Sequence, residues 1–147
     1  MKKLLTLIVF VMVFTLAACN GDDTPDVEYP YDDHFGATIT GSEVDGDVVV
    51  LTIDGEGFYP MTVEVTFEGG SMTNFEVIDH SESADWGGVI IDRGEIQDAL
   101  VDNYDDLANF SIDPYKDVDA ETGATATAEA MEDIAVAAVE HYQEYYE

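Results

Sequence analysis

The sequence predicts an α+β domain: a twisted antiparallel sheet, a short helix, and a longer amphipathic helix at the C-terminus. Three observations carry this reading. Met61, Val63, Val65 and Phe67 alternate strictly with Thr62, Glu64, Thr66 and Glu68, the period of a strand with one buried face. Asp45-Gly46 and Gly69-Gly70 each stand between strand-like runs, as short hairpin turns do. Met131, Ile134, Ala135, Ala138, Val139 and Tyr142 recur at helical spacing. Strands that precede helices, rather than alternate with them, favour α+β over α/β.

In chain order, "ATITGSEV" and "DVVVLTI" flank Asp45-Gly46 and form the first hairpin. The alternating run from Met61 to Glu68 turns at Gly69-Gly70 into "MTNFEVID", where Phe75 and Val77 continue one apolar face. "DRGEIQDALVDNY" sets Ile96, Ala99 and Leu100 at helical spacing, so a short helix follows the sheet. "DDLANFSIDPYKDVD" is irregular, and Pro114 blocks a continuous helix through it. The last helix is expected to begin at Thr127 as its cap, with Glu129, Glu132 and Asp133 near the positive end of its dipole.

The first 18 residues are of another kind. "MKKLLTLIVFVMVFTLAAC" opens with two lysines and runs apolar from Leu4 to Ala18, broken only by Thr6 and Thr15. A spanning helix needs about 20 apolar residues, so the run reads as an export signal. Its end, Leu16-Ala17-Ala18-Cys19, resembles a bacterial lipobox, which implies a lipidated Cys19 as mature N-terminus. Cys19 is the one cysteine, so no intramolecular disulfide can form. Residues 19–35 hold two prolines and many acids without a period, and read as an acidic flexible tether. The folded domain is then 36–147.

Once residues 1–18 are removed, Arg93 and Lys116 face 33 acids, a formal charge of −31. Such a chain is repelled by nucleic acid and by anionic membrane surfaces. An apolar content of 46% is too high for wholesale disorder.

Familiar catalytic and metal motifs fail. No His-Glu-x-x-His or Gly-x-Ser-x-Gly occurs, and His34, His80 and His141 lack ligand spacing. Asp117, Asp119 and Glu121 imitate a calcium loop, but Thr122 stands where glycine is needed and Ala128 where a carboxylate is needed. No metal site is expected. "DVDAETGATATAEAM" is different. Its side chains shrink to Ala, Gly and Thr just before the last helix, where free N–H groups can receive an anion. A cap and a phosphate site are both consistent with it.

Asp119-Ala120-Glu121-Thr122-Gly123-Ala124-Thr125 resembles the flavinylation motif of FMN-binding domains. These occur in peripheral subunits of sodium-pumping NADH:quinone oxidoreductases and in bacterial lipoproteins of extracellular electron transfer. The resemblance implies that a magnesium-dependent transferase takes FMN from FAD and joins its phosphate to Thr125. It implies supporting roles for Asp119, Thr122, Gly123 and Ala124. "DGEGFYPMTVEVTFEGGSMTNFEVIDHSES" is similar to the family's glycine-rich entry, central hairpin and flavin-side loop, so the likeness runs from Asp54 to His141. His80-Ser81-Glu82-Ser83 resembles the family's His-x-Glu-Thr, which puts Glu82 on the cofactor side. "ADWGG" departs from the family's Pro-Gly continuation, and Trp86 within it either stacks on the isoalloxazine or fills the core. Asp32 to Thr38 also ends in Gly-Ala-Thr, but Phe35 replaces the Ser/Thr and no amphipathic helix follows.

The resemblance implies a membrane-anchored extracytoplasmic electron carrier, rather than a stand-alone enzyme, with covalent FMN. Its redox partner would be a membrane quinone-linked dehydrogenase or another flavoprotein. The alternative is a non-redox surface lipoprotein, a binding or adhesion module with a vestigial motif. The anchor is testable directly. Cys19→Ser is expected to release the protein into the medium or stall its processing, and unchanged cofractionation with membranes would overturn the lipid assignment.

Overall fold

Alternating apolar residues become a sheet when their buried faces find a common cover. In the computed structural model, which describes residues 27–29, 36–57, 59–109 and 122–147, they build five strands in the order β1-β2-β3-β4-β5. These are β1 (Val27–Tyr29), β2 (Ala37–Asp45), β3 (Val48–Glu56), β4 (Pro60–Glu68) and β5 (Ser71–His80). Every neighbouring pair is antiparallel. Both expected hairpins are present, and Glu68 pairs with Ser71 across Gly69 and Gly70. Those two glycines have φ of 58° and 87°. Positive φ at both central residues is what a type I′ turn demands, and two glycines meet it without steric cost.

One face of the sheet carries Ile39, Leu51, Ile53, Val63, Val65, Phe67 and Phe75, all buried. Helices cover it: α1 (Gly87–Arg93), α2 (Glu95–Asp102) and α3 (Thr122–Tyr145), with a 3-10 turn at Tyr104–Asn109. α2 is the expected short helix, and it buries Ile96 and Leu100. α1 was not foreseen. Its seven residues are too few for a visible helical period, and Gly87 and Gly88 open it.

The C-terminal helix is present, and its start corrects the sequence reading. α3 begins at Thr122, not at Thr127, so Thr127 lies inside the helix rather than capping it. Threonine, glycine and alanine carry little periodic signal, and threonine and glycine have low helix propensity. Packing overrides that preference here, because Ala126, Thr127 and Ala128 are all buried. The alanines of α3 let its axis approach the sheet closely. At Gly55 the approach is so close that a Cβ would lie 2.6 Å from Cδ1 of Ile134. Further along, Tyr142 stacks on Phe67 at 4.2 Å between ring centroids.

Another correction concerns the tether. Val27–Tyr29, inside the segment expected to be flexible, forms β1 at the sheet edge, paired Val27–Ile39 to Tyr29–Ala37. Tyr29 explains the order. Its hydroxyl and Nδ1 of His141 on α3 share a hydrogen bond of 3.0 Å, so side chain as well as backbone ties the strand down. The signal, Cys19 and the rest of the tether lie outside the described residues.

The burial of this pair makes stability depend on pH. Burial lowers the His141 pKa, against a smaller upward push from Glu144. The unfolded imidazole takes its proton near its ordinary value, the folded one only at lower pH. Unfolding therefore binds protons in that window, and stability falls as pH drops through about 6.5. Tyr29 is pushed up to about 12, by burial first and then by Glu144, Tyr145 and Glu140. Stability is therefore also lost as pH rises past about 10. In urea titrations, wild type should lose more stability than His141→Gln between about pH 8 and about pH 5.5. Parallel losses in the two proteins would overturn the assignment.

Candidate functional site

One turn, one loop and the start of a short helix converge beside the first turn of α3. β3 ends at Glu56, and Gly57 follows it against the helix. A Cβ at Gly57 would lie 3.2 Å from Thr127 Cα and 3.3 Å from the Ala126 carbonyl oxygen. The turn then passes through Tyr59 into β4. From the other side β5 ends at His80, and Ser81 to Trp86 lead into α1, where the backbone N–H groups of Trp86 and Gly88 both donate to the Ser83 carbonyl. Within this loop "ADWGG" makes the start of a helix.

Glu82 sits at the centre. It is only 8% exposed. Its Oε1 accepts the Tyr59 backbone N–H at 3.1 Å and lies 2.9 Å from where a Gly57 Cβ would stand. A Cβ at Gly87 would collide with both Glu82 Oε2 and Thr127 Oγ1, so these two oxygens border the same small space at Gly87. Both glycines are required by close approach. The Nδ1 of His80 is buried without a hydrogen-bond partner among the described residues.

Of the expected site residues, Glu82, Trp86 and Thr125 are described with their surroundings. Thr125 is half-buried in the first turn of α3. The half-buried or exposed positions of the helix continue from it through Glu129, Glu132, Val136 and Glu140, so Thr125 heads the outer stripe. Thr122, Gly123 and Ala124 belong to the same helical turn. Asp119 lies outside the described residues. Trp86 is 38% exposed, which removes the core alternative for this side chain. Thr38, in the second Gly-Ala-Thr, is a β2 residue paired with Glu28 and Asp54.

The sequence reading missed Tyr59, Gly57, Gly87 and the burial of Thr127. Tyr59 is 47% exposed and is tied through its backbone to Glu82, while Trp86 directly precedes Gly87 on the other side of the same carboxylate. Two residues with exposed rings are therefore anchored, through their own or a neighbour's backbone, beside one buried acid. Neither glycine has a sequence signal of its own, because close approach exists only once the loops have met.

These residues fit an anionic, aromatic cofactor. Thr125 offers a hydroxyl where the first helical N–H groups have no intrahelical acceptor. Tyr59 and Trp86 offer flat apolar surface. A separate cavity of ≈ 510 Å³ is a poorer place for a phosphate, since Glu28, Asp54 and Glu56 line it.

Gly87 gives a direct test of this packing. Gly87→Ala should cost about 1–3 kcal/mol in urea unfolding, because its methyl group enters space held by Glu82 and Thr127. Asp85→Ala, at an exposed neighbour, should stay within about 0.5 kcal/mol of wild type. Equal effects would mean that the contact is not tight.

The family model described as FMN-binding domain matches residues 57–140, more than half of the 147-residue chain. The match begins at the glycine that backs onto α3 and includes Glu82, Trp86 and Thr125. No curated protein and no solved structure matches the chain. From the Gly57 turn to the last helix, then, the chain belongs to the FMN-binding domain family and is a flavoprotein.

Proposed function

We propose that this protein is a lipid-anchored, extracytoplasmic electron carrier that holds FMN as a phosphoester on Thr125. One observation carries the choice of residue. Thr125 stands at the head of the outer stripe of α3, whereas Thr127, two residues on, is fully buried. A transferase needs a hydroxyl it can reach, and small neighbours that do not block it. Thr125 has Gly123, Ala124 and Ala126 beside it.

The attachment balances as follows. The Thr125 oxygen bonds to the FMN phosphorus of FAD, the diphosphate bond breaks, AMP leaves, and the hydroxyl proton passes to a base of the transferase. Asp119, at the family's acidic position, serves that enzyme. The product adds a negative charge four residues before Glu129 on one helix face, a repulsive spacing. The helix dipole offsets this by about 0.3–1 kcal/mol.

Bound flavin supplies one- and two-electron chemistry, and the protein supplies attachment, orientation and electrostatics. The surrounding acids disfavour an added negative charge and so lower the reduction potential. A covalent link also keeps an anionic cofactor on an anionic protein. By the family resemblance, electrons arrive from a membrane quinone-linked dehydrogenase or another flavoprotein.

Thr125→Val is expected to abolish covalent flavin without unfolding the domain, since valine keeps the volume and removes the nucleophilic oxygen. The readout is in-gel fluorescence with peptide mass mapping after coexpression with the transferase. An adduct on Thr127 or Thr38, or none on wild type beside an active transferase, would overturn the reading.

A further inference from the structure

Glu82 touches more of this fold than any cofactor role would require. Its carboxylate is buried, and its hydrogen bond runs to a backbone N–H, that of Tyr59, rather than to a cation. Its two oxygens occupy the space that a Cβ would need at Gly57 and at Gly87, at the end of β3 and the start of α1. The second oxygen and the Thr127 hydroxyl border the same space at Gly87. One side chain therefore lies between the β3–β4 turn, the loop into α1, and α3.

The consequence follows from helix geometry. Successive residues are about 100° apart around an α-helix, so Thr125 and Thr127 point about 160° from each other. Whatever holds Thr127 inward therefore holds Thr125 outward. The first turn of a helix lacks half of its backbone hydrogen bonds and frays unless something pins it. Here the pin comes from a residue about 40 positions away in sequence.

We propose that Glu82 is a positioning residue: its buried carboxylate, packed among Gly57, Tyr59, Gly87 and Thr127, sets the phase of the α3 start and so presents Thr125 for modification. This rests on the attachment reading above, but the geometric part is independent of flavin. Glu82 then acts on the protein, not on the isoalloxazine.

The test uses the full chain in two arms. In the unmodified protein, hydrogen exchange is followed by mass spectrometry. Glu82→Ala should speed exchange of amides 125–130 about tenfold, with β3 and β4 unchanged, and Glu82→Gln, which keeps an acceptor for Tyr59, should restore most of the protection. With transferase and FAD, the initial rate of Thr125 modification should fall about tenfold in Glu82→Ala and return in Glu82→Gln. The flavin absorption spectrum of the modified fraction should match wild type in both. Ile53→Val, a core change away from the loop, should leave the modification rate unchanged.

Unchanged exchange at 125–130 in Glu82→Ala would overturn the proposal. A shifted flavin spectrum in Glu82→Gln would also overturn it, by making Glu82 a flavin ligand. Should Glu82→Ala fail to fold, Glu82→Asp, one methylene shorter, is read in the same two arms. Faster exchange with slower modification supports the proposal, and wild-type behaviour overturns it. Wild type that takes no flavin sinks the attachment reading instead, and the exchange arm still decides whether Glu82 pins the helix.

Discussion

Alanine lets α3 lie against the sheet closely enough for the rest of the domain to form. Ala128, Ala130, Ala135, Ala137 and Ala138 are all buried, and Gly55 removes even a methyl group where Ile134 comes down. Close packing of this kind leaves no freedom of phase. A helix seated by Met131, Ile134 and Tyr142 cannot rotate without driving Glu129 or Glu132 into the core. The same seating commits its other end. Thr127 goes inward toward Glu82 and Gly87, and Thr125 goes outward. Which of the two threonines reaches the surface is thus a by-product of how the core is filled.

The heavy acidic charge constrains the fold less than its size suggests. Among the described residues, most carboxylates project from the open face of the sheet, from turns, or from the outer sides of the helices, where water solvates them. The exceptions mark organised places. Glu82 and Asp133 are buried acids among the described residues, and Glu82 lies where three chain segments meet. Burying a carboxylate is costly unless it is hydrogen-bonded, so its position within a loop cluster indicates a constraint that apolar packing alone did not meet. His141 makes a similar point at the far end of α3, where a buried imidazole and a tyrosine hold the edge strand.

Much of this architecture was legible in advance. The alternation from Met61 to Phe67 and the Gly69-Gly70 pair specified a hairpin, because side-chain direction in a strand and positive φ in a tight turn are local properties. The stripe from Met131 to Tyr142 specified the last helix for the same reason. Membership of the FMN-binding domain family was legible too, since the segments that carry the resemblance are each contiguous in the chain before any folding occurs. α1 was not legible, being short and opened by two glycines. β1 was not, because Val27–Tyr29 gains its order from Ala37–Ile39 and from His141, 112 residues beyond Tyr29.

The misreading of Thr127 divides what sequence can determine from what it cannot. By itself the sequence determined the elements whose signals are periodic or adjacent: the hairpins, the body of the last helix, and the candidacy of Thr125. Which threonine faces out and which is enclosed is not a local property. It depends on where α3 begins and on what meets its first turn. Only the tertiary structure brought Gly57, Glu82 and Gly87 to that turn: the two glycines are silent alone, because a glycine acts by what comes close to it, and the motif that marked Glu82 did not show what surrounds it.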